Sequence, residues 1–261
     1  VAQVEAMGAE WWDTVATLGC LAGLTERTLL VSHVAVPAYR HPLAVAKAFA
    51  TLDVVSGGRA VLGVGAGHVE GEFAALGVPF EERGRLLDEA IDAVRACFAS
   101  ETPSHRGERW SFDGVAQRPR PVQVDGPPIW VGGSSTPAIR RAATRGDGWL
   151  PQGPLTAELV DAVRAALVAA GRECEPFDLG ALVGPVYLGE PGWDTGPVLA
   201  GPPEKVAHVI GKLVDLGARQ VQVRPRSRSV DELVDQIERL GSEVVPLVAE
   251  RRPRPLFDGG S

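Results

Sequence analysis

The run TLLVSHVAV, Thr28 to Val36, is rich in β-branched and apolar residues and ends on Pro37, which predicts a strand closed by a loop. Pro42 to Val55 then places apolar residues at Val45, Ala48, Phe49 and Leu52, a helical spacing, and Gly57 and Gly58 follow where a left-handed helix terminus favours glycine. Ala60 to Gly65 reads as a second strand. From about Arg83 to Ala99, Leu87, Ile91, Val94 and Phe98 recur at spacings of four, three and four, an apolar stripe on one face of a helix. The polar, proline-rich stretch from about 100 to 127, with GERWSFDG and RPRPVQVDGPP, breaks this alternation and predicts an excursion or hairpin outside it.

The alternation then resumes. Ile129 to Val131 predicts a strand opening onto Gly132, Gly133, Ser134 and Ser135, followed by a helix with Pro137 in its first turn and Gly146 at its end. Trp149 and Leu150 begin a short strand, and a helix from about Ala157 to Ala170 carries Val160, Val163 and Leu167 on one face. Leu179 to Leu188 is another apolar run. Lys205 to Leu216 is helical by Val206, Val209, Ile210 and Leu213, Gln220 to Val223 is a strand, and Ser229 with Glu232 forms a capping box for the last helix.

Strand followed by helix, repeated six times, demands a parallel sheet, because each crossover helix returns the chain to the same edge. In an open dinucleotide fold Gly63, Gly65 and Gly67 would lead directly into a helix, whereas about 15 loop residues follow them. A (β/α)₈ barrel of roughly 250 residues fits the 261 residues as a single domain, 1–261, although the six strands identified are two short.

Composition narrows the function classes. The net charge of −7 disfavours a general nucleic-acid or anionic-membrane surface. Cys20, Cys97 and Cys174 are far apart, odd in number and without a CxxC pair, so neither a disulfide framework nor a metal site is indicated and a reducing cytoplasm fits. No apolar stretch approaches the 18 or so residues of a membrane span.

Three segments, LLVSHVAVPAYRHPLAVAKAFATLDVVSGGRAVLGVGAG, EFAALGVPFEERGRLLDEAIDAVR and PPIWVGGSSTPAIRRAATRGDGW, together resemble the bacterial luciferase-like monooxygenases, in particular their branch that uses the deazaflavin coenzyme F420. The resemblance runs in order from about Trp12 to Gln152 and more loosely from Gly201 to Val248. It implies a TIM-type barrel, an oxidoreductase activity, and coenzyme F420, favoured, or FMN at the strand ends, with hydride exchanged between the cofactor ring and a small organic substrate. It also implies that the first strand ends in a bulge with a cis peptide bond between His33 and Val34, which backs the ring.

Gly65, Ala66, Gly67 and His68 after the second strand, and Gly132, Gly133, Ser134 and Ser135 ahead of a helix, match the loops that contact the cofactor's phosphate-bearing arm. The residue types suit that task, since glycines admit close backbone approach and a helix N-terminus favours an anion. Read without the resemblance, the same residues are equally a tight turn and an ordinary serine cap. His68 stands where some deazaflavin dehydrogenases carry a glutamate acting as acid or base, which puts carry-over of the sugar-phosphate dehydrogenase mechanism in doubt.

Members of that family open with a strand, a helix and a second strand ahead of the helix matching Trp12 to Thr25, and Val1 to Trp11 is too short to supply them. The barrel is therefore expected to be incomplete at its N-terminal end. The catalytic acid or base stays unassigned, and a homodimer or a poorly soluble monomer is expected, because unpaired strand edges invite pairing. A non-catalytic cofactor-binding or interaction paralogue is the alternative, and a barrel enzyme acting on phosphorylated metabolites without redox chemistry is a third reading. Asp53 and Arg59, flanking the glycine turn, are expected to form a structural ion pair. Arg224, Arg226 and Arg228 read as a solvated basic loop, with an anion-holding role as the alternative, and most of Trp11, Trp12, Trp110, Trp130, Trp149 and Trp193 read as core.

Overall fold

The computed structural model describes residues 12–257. Contacts divide the chain into two compact units that meet in sequence at Gly132 and Gly133.

In the first unit, helix α1 (Thr14–Leu24) is capped by the Asp13 carboxylate, which accepts from the main-chain amides of Val15 and Ala16. Strand β1 (Leu30–Val31), helix α2 (Pro42–Ser56), strand β2 (Ala60–Val64), the short helix α3 (Glu70–Ala75) and helix α4 (Arg83–Ala99) follow. Then come the hairpin β3 (His105–Arg106) and β4 (Ser111–Phe112), and strand β5 (Ile129–Gly132). β2 pairs in parallel with β1 through Leu30↔Ala60 and Val31↔Val61, and with β5 through Leu62↔Ile129, Gly63↔Trp130 and Val64↔Val131. Every residue of β2 is buried, as expected of a parallel strand covered on both faces. The helical stripe Leu87, Ile91, Val94 and Phe98 is fully buried, and Gly57 ends α2 in the left-handed conformation, both as the spacing predicts.

The second unit contains helix α5 (Thr136–Arg145), strand β6 (Gly148–Leu150), helix α6 (Ala157–Ala169), strand β7 (Asp178–Leu188) and strand β8 (Leu199–Gly201). Helix α7 (Pro203–Asp215), strand β9 (Gln220–Pro225), helix α8 (Val230–Arg239), a π turn (Leu240–Val244) and helix α9 (Val245–Val248) complete it. β7 pairs in parallel with β6, β8 and β9. Its buried face, Val183, Val186 and Leu188, packs against Val206, Ala207 and Ile210 of α7. β8 was not anticipated. Its three residues lie in the Pro- and Gly-rich connection between β7 and α7, too short a run to show a period.

Two expectations are corrected. The strand foreseen over Thr28 to Val36 is regular only at Leu30–Val31, with a single further bridge at Ala35↔Val64. The ladder shows why: Leu30 N donates to Arg59 O and Ser32 N to Val61 O, but the next bond comes from Ala35 N to Gly63 O. Three residues on this strand span two on its neighbour, so one extra residue is extruded as a bulge.

Asp53 and Arg59 form no ion pair. The Asp53 carboxylate is wholly buried and accepts from Val122 N, Gln123 N and Gln123 Nε2 at 2.8, 3.0 and 2.6 Å. The Arg59 guanidinium instead donates to the carbonyls of Ala22, Thr25, Thr28 and Ser56, capping the end of α1. Both residues are structural, as expected, but each fixes a different segment. Asp53 anchors the 100–127 excursion, whose hairpin also carries the buried Trp110 into a cluster with Ala38, Phe73, Leu86 and Ala90.

The capping box of α8 forms by half. Ser229 Oγ accepts from Glu232 N at 3.2 Å, while the Glu232 carboxylate takes Arg228 N at 2.6 Å, one residue before the cap. The Arg228 guanidinium lies over the Trp193 ring, 5.6 Å from its centroid, and Arg224, Arg226 and Arg228 are all exposed, in keeping with a solvated loop. Among the six tryptophans, Trp110, Trp130 and Trp149 are buried, Trp12 is exposed, and Trp11 lies outside the described residues.

Candidate functional site

In the first unit the bulge brings His33 and Val34 beside the ends of β2 and β5. The His33–Val34 peptide bond is cis, as the resemblance implies. The Val34 isopropyl group is wedged between two glycines. A Cβ added to Gly65 would stand 2.6 Å from Val34 Cγ2, and one added to Gly132 would stand 2.9 Å from Val34 Cγ1. These glycines therefore make room for the Val34 side chain at the bulge, which stays 36% exposed. The site expected from three separate stretches of sequence is, for His33, Val34, Gly65 and Gly132, one place.

The loop beyond β2 is held from both sides. Gly67 has φ +81°, and a Cβ there would meet Phe73 at 2.8 Å, so glycine is required twice over. Phe73 packs edge-on against Tyr39 at 4.9 Å between centroids, and Tyr39 donates its phenol proton to Glu72 at 2.8 Å. Burial first, and then the Glu72 carboxylate, push the Tyr39 phenol above its ordinary range, so it stays protonated and keeps this bond at neutral pH. His33 and His68 are exposed, and Ala66 is half-buried.

In the second unit Gly133, Ser134 and Ser135 lead into α5. Ser135 is the N-cap residue and is exposed, and its side chain makes no capping hydrogen bond. Ser134 is committed elsewhere: its hydroxyl donates to Gln152 O at 3.0 Å and accepts from Gln152 N at 2.9 Å. Gly133, at φ +118°, is fixed by Trp149, whose indole N–H donates to Gly133 O at 2.7 Å.

Anion contact through the glycine amides is only partly compatible with this geometry. Gly65 N donates to Ala35 O at 2.8 Å and Gly133 N to Leu150 O at 2.9 Å, so neither is offered to a phosphate. Ala66, Gly67 and His68 in one unit, and Ser135 with the start of α5 in the other, keep that capacity. Strand-end glycines carry two jobs that sequence does not separate, donating an N–H and yielding space, and here Gly65 and Gly132 yield space.

One residue read as core stands out. Trp130 lies two positions before Gly132, hence on the same face of β5, and opposite Gly63 of β2. It is 4% exposed, and its Nε1 is buried without a hydrogen-bond partner among the described residues. Strand alternation placed it on the Val34 side, but nothing in the sequence shows that the indole N–H lacks an acceptor. The bulge at residues 33–34, packed against Gly65 and Gly132, and the loop 66–68 beside it are compatible with a flat heterocycle bearing an anionic arm. Among the described residues no group of His, Cys, Asp and Glu could hold a metal ion, and no helix is long and apolar enough to cross a membrane.

Comparison with known proteins gives a consistent answer. The family model described as luciferase-like monooxygenase matches residues 4–191. An uncharacterised protein of Mycobacterium tuberculosis is 31% identical over 235 residues, covering 89% of this chain and 76% of that protein. The F420-dependent glucose-6-phosphate dehydrogenase of Microbacterium testaceum is 34% identical over 170 residues, covering 62% of this chain and 50% of that one. Among solved structures, the monooxygenase RslO1 of Streptomyces bottropensis superposes with a TM-score of 0.77 at 22% identity, over 90% of this chain and 82% of that one. The coenzyme F420 dependent tetrahydromethanopterin reductase of Methanopyrus kandleri does so with a TM-score of 0.75 at 21% identity, over 90% and 87%. At such identities the superpositions show the fold, the α/β architecture of luciferase-like TIM-type barrels. With a family model covering most of its length and a fold to match, this chain belongs to the luciferase-like monooxygenase family.

Proposed function

We propose that the protein is an oxidoreductase that binds coenzyme F420, with FMN as the second candidate, and exchanges a hydride between the cofactor ring and a small organic substrate. The observation that carries this reading is the bulge at His33–Val34 packed against Gly65 and Gly132 at the ends of β2 and β5, where its main chain would back a planar ring. The F420-dependent names of relatives such as the Microbacterium testaceum dehydrogenase support the choice of cofactor. When bound, the cofactor supplies the hydride chemistry, and the protein supplies seating and orientation.

In this reading the His33–Val34 main chain backs the ring, and the amides of Ala66, Gly67 and His68 receive the anionic arm. Tyr39 and Glu72 hold the loop after β2 in place. Titration of the purified protein with F420 and with FMN, followed by ring fluorescence, is expected to show saturable binding of at least one. Binding of neither overturns the redox assignment. A cytoplasmic homodimer completes the proposal, and light scattering that gives a stable, well-behaved monomer would count against the dimer.

A further inference from the structure

Strands β7 and β9 turn one face to α7 and carry different chemistry on the other. Val183, Val186 and Leu188 of β7 pack into the core with α7, and Val221 and Val223 of β9 pack against them. Residues paired in register point to one side of a sheet, and neighbours along a strand alternate. The pairs Gly180↔Gln220, Leu182↔Gln222 and Pro185↔Arg224 therefore belong to the opposite face, the register shift between Leu182 and Pro185 accounting for the odd count on β7. Arg226, whose N–H continues the ladder to Val186 O, comes next on that face. The result is a polar row, Gln220, Gln222, Arg224 and Arg226, where a parallel strand buried on both sides carries apolar residues throughout. The glutamines are half-buried and the arginines exposed.

None of these four side chains has a hydrogen-bond or ion-pair partner among the described residues. The amides of other glutamines are spent: Gln123 Nε2 donates to Ala60 O at 2.8 Å, and Gln236 Oε1 accepts from Leu188 N at 2.7 Å. Glu232, which takes the Tyr187 phenol proton at the end of β7, is committed to Arg228 and Trp193 as well, leaving Arg224 and Arg226 without an ion pair. At the other end a Cβ on Gly180 would stand 2.6 Å from Leu150 Cδ2, so apolar packing closes the row there and solvent reaches it from the arginines. We propose that this face binds the substrate and that the substrate is a polar anion. Arg224 and Arg226, solvated in the free protein, hold its carboxylate or phosphate, and Gln222 and Gln220 hydrogen-bond hydroxyl or carbonyl groups up to roughly 13 Å along β9 from Arg224. The inference rests on the oxidoreductase reading above and deepens it by naming a chemical class of substrate.

The test needs no cofactor. Purified protein is titrated with glycerol phosphate, with malate and with uncharged glycerol, and the side-chain amide signals of Gln220 and Gln222, assigned by substitution, are followed by NMR. Glycerol phosphate, malate or both are expected to shift these signals saturably, which separates a phosphate from a carboxylate preference, and glycerol is expected to leave them in place. Arg224→Gln combined with Arg226→Gln is expected to weaken that binding by about 10- to 100-fold, with the thermal midpoint unmoved because neither guanidinium holds a partner in the protein. Gln222→Leu is expected to weaken it by about 3- to 10-fold. Signals that neither anion shifts, or an affinity unchanged in either variant, overturn the proposal. Displacement of the anion by saturating F420 or FMN overturns it as well, because the row then belongs to the cofactor's own arm. Anion binding by a protein that takes up neither cofactor keeps the site and overturns the redox reading alone.

Discussion

Gly65→Ala is expected to destabilise the protein by about 1–3 kcal/mol, the usual cost of forcing one extra carbon into a filled site, lowering the thermal midpoint by roughly 2–4 °C for each kcal/mol. The cause is steric and local. The new Cβ would stand 2.6 Å from Val34 Cγ2, closer than real Cβ contacts come, so Val34 must shift. Backbone conformation contributes nothing, since Gly65 does not occupy the left-handed region. The double variant Gly65→Ala with Val34→Ala removes both methyl groups and leaves the next contact, to Val34 Cβ, at 3.7 Å, an ordinary distance. The second substitution is therefore expected to recover most of the loss. Thermal or urea unfolding of the two single variants and the double variant forms a cycle, and strictly additive losses would show that the two residues do not press on each other. If residues 33–34 seat the cofactor ring, Gly65→Ala also weakens cofactor binding, because the residue it displaces belongs to the bulge.

Asp53→Ala is expected to cost about 2–4 kcal/mol, from two main-chain donors and one side-chain donor that lose their acceptor, discounted because Val122 is exposed enough for water to reach its amide. Gln123 Nε2 keeps a second acceptor, Ala60 O at 2.8 Å, so its share of the loss is small. Asp53→Asn retains one carbonyl oxygen and is expected to lose less than the alanine variant. Besides the fall in stability read by urea unfolding, amide exchange is expected to quicken at residues 122–123. Unchanged exchange there would mean that the excursion is held by something other than Asp53. The result matters for the site because Gln123 ties the excursion to β2 at Ala60, five residues before the glycine under Val34.

Much of the architecture is legible in the residues. The four-three-four stripe of α4 and the Val160, Val163, Leu167 face of α6 are buried as their spacing requires, because a helix must hide an apolar stripe wherever its neighbours lie. Gly57 ends α2 in the left-handed conformation because glycine accepts it without steric cost. The resemblance carried by the segments around His33 to Gly67 and Ile129 to Trp149 reached the family, and the cis bond at His33–Val34 lies where it implied. Periodicity failed where pairing partners set the outcome. Thr28 to Val36 has the composition of a continuous strand, yet a bulge interrupts it, since the count of residues on the facing strand is not written in its own sequence. Asp53 and Arg59 have opposite charges at a suitable spacing, yet each is drawn to main-chain groups that folding brings from residues 22 to 28 and 122 to 123.

By itself, the order of residues determined the alternation of helix and strand, the parallel pairing that follows from it, and the positions where glycine had to stand. Those are local demands of backbone conformation and of burying one face of each element. Only the tertiary structure decided what the glycines are for: Gly65 and Gly132 yield space to Val34, Ser134 is spent on Gln152, and the Trp130 indole has no acceptor among the described residues. Such assignments depend on which groups come within a few ångströms across β1, β2 and β5 in the first unit, and between the loop before α5 and the end of β6 in the second. Those distances are properties of the packed chain and not of any one segment.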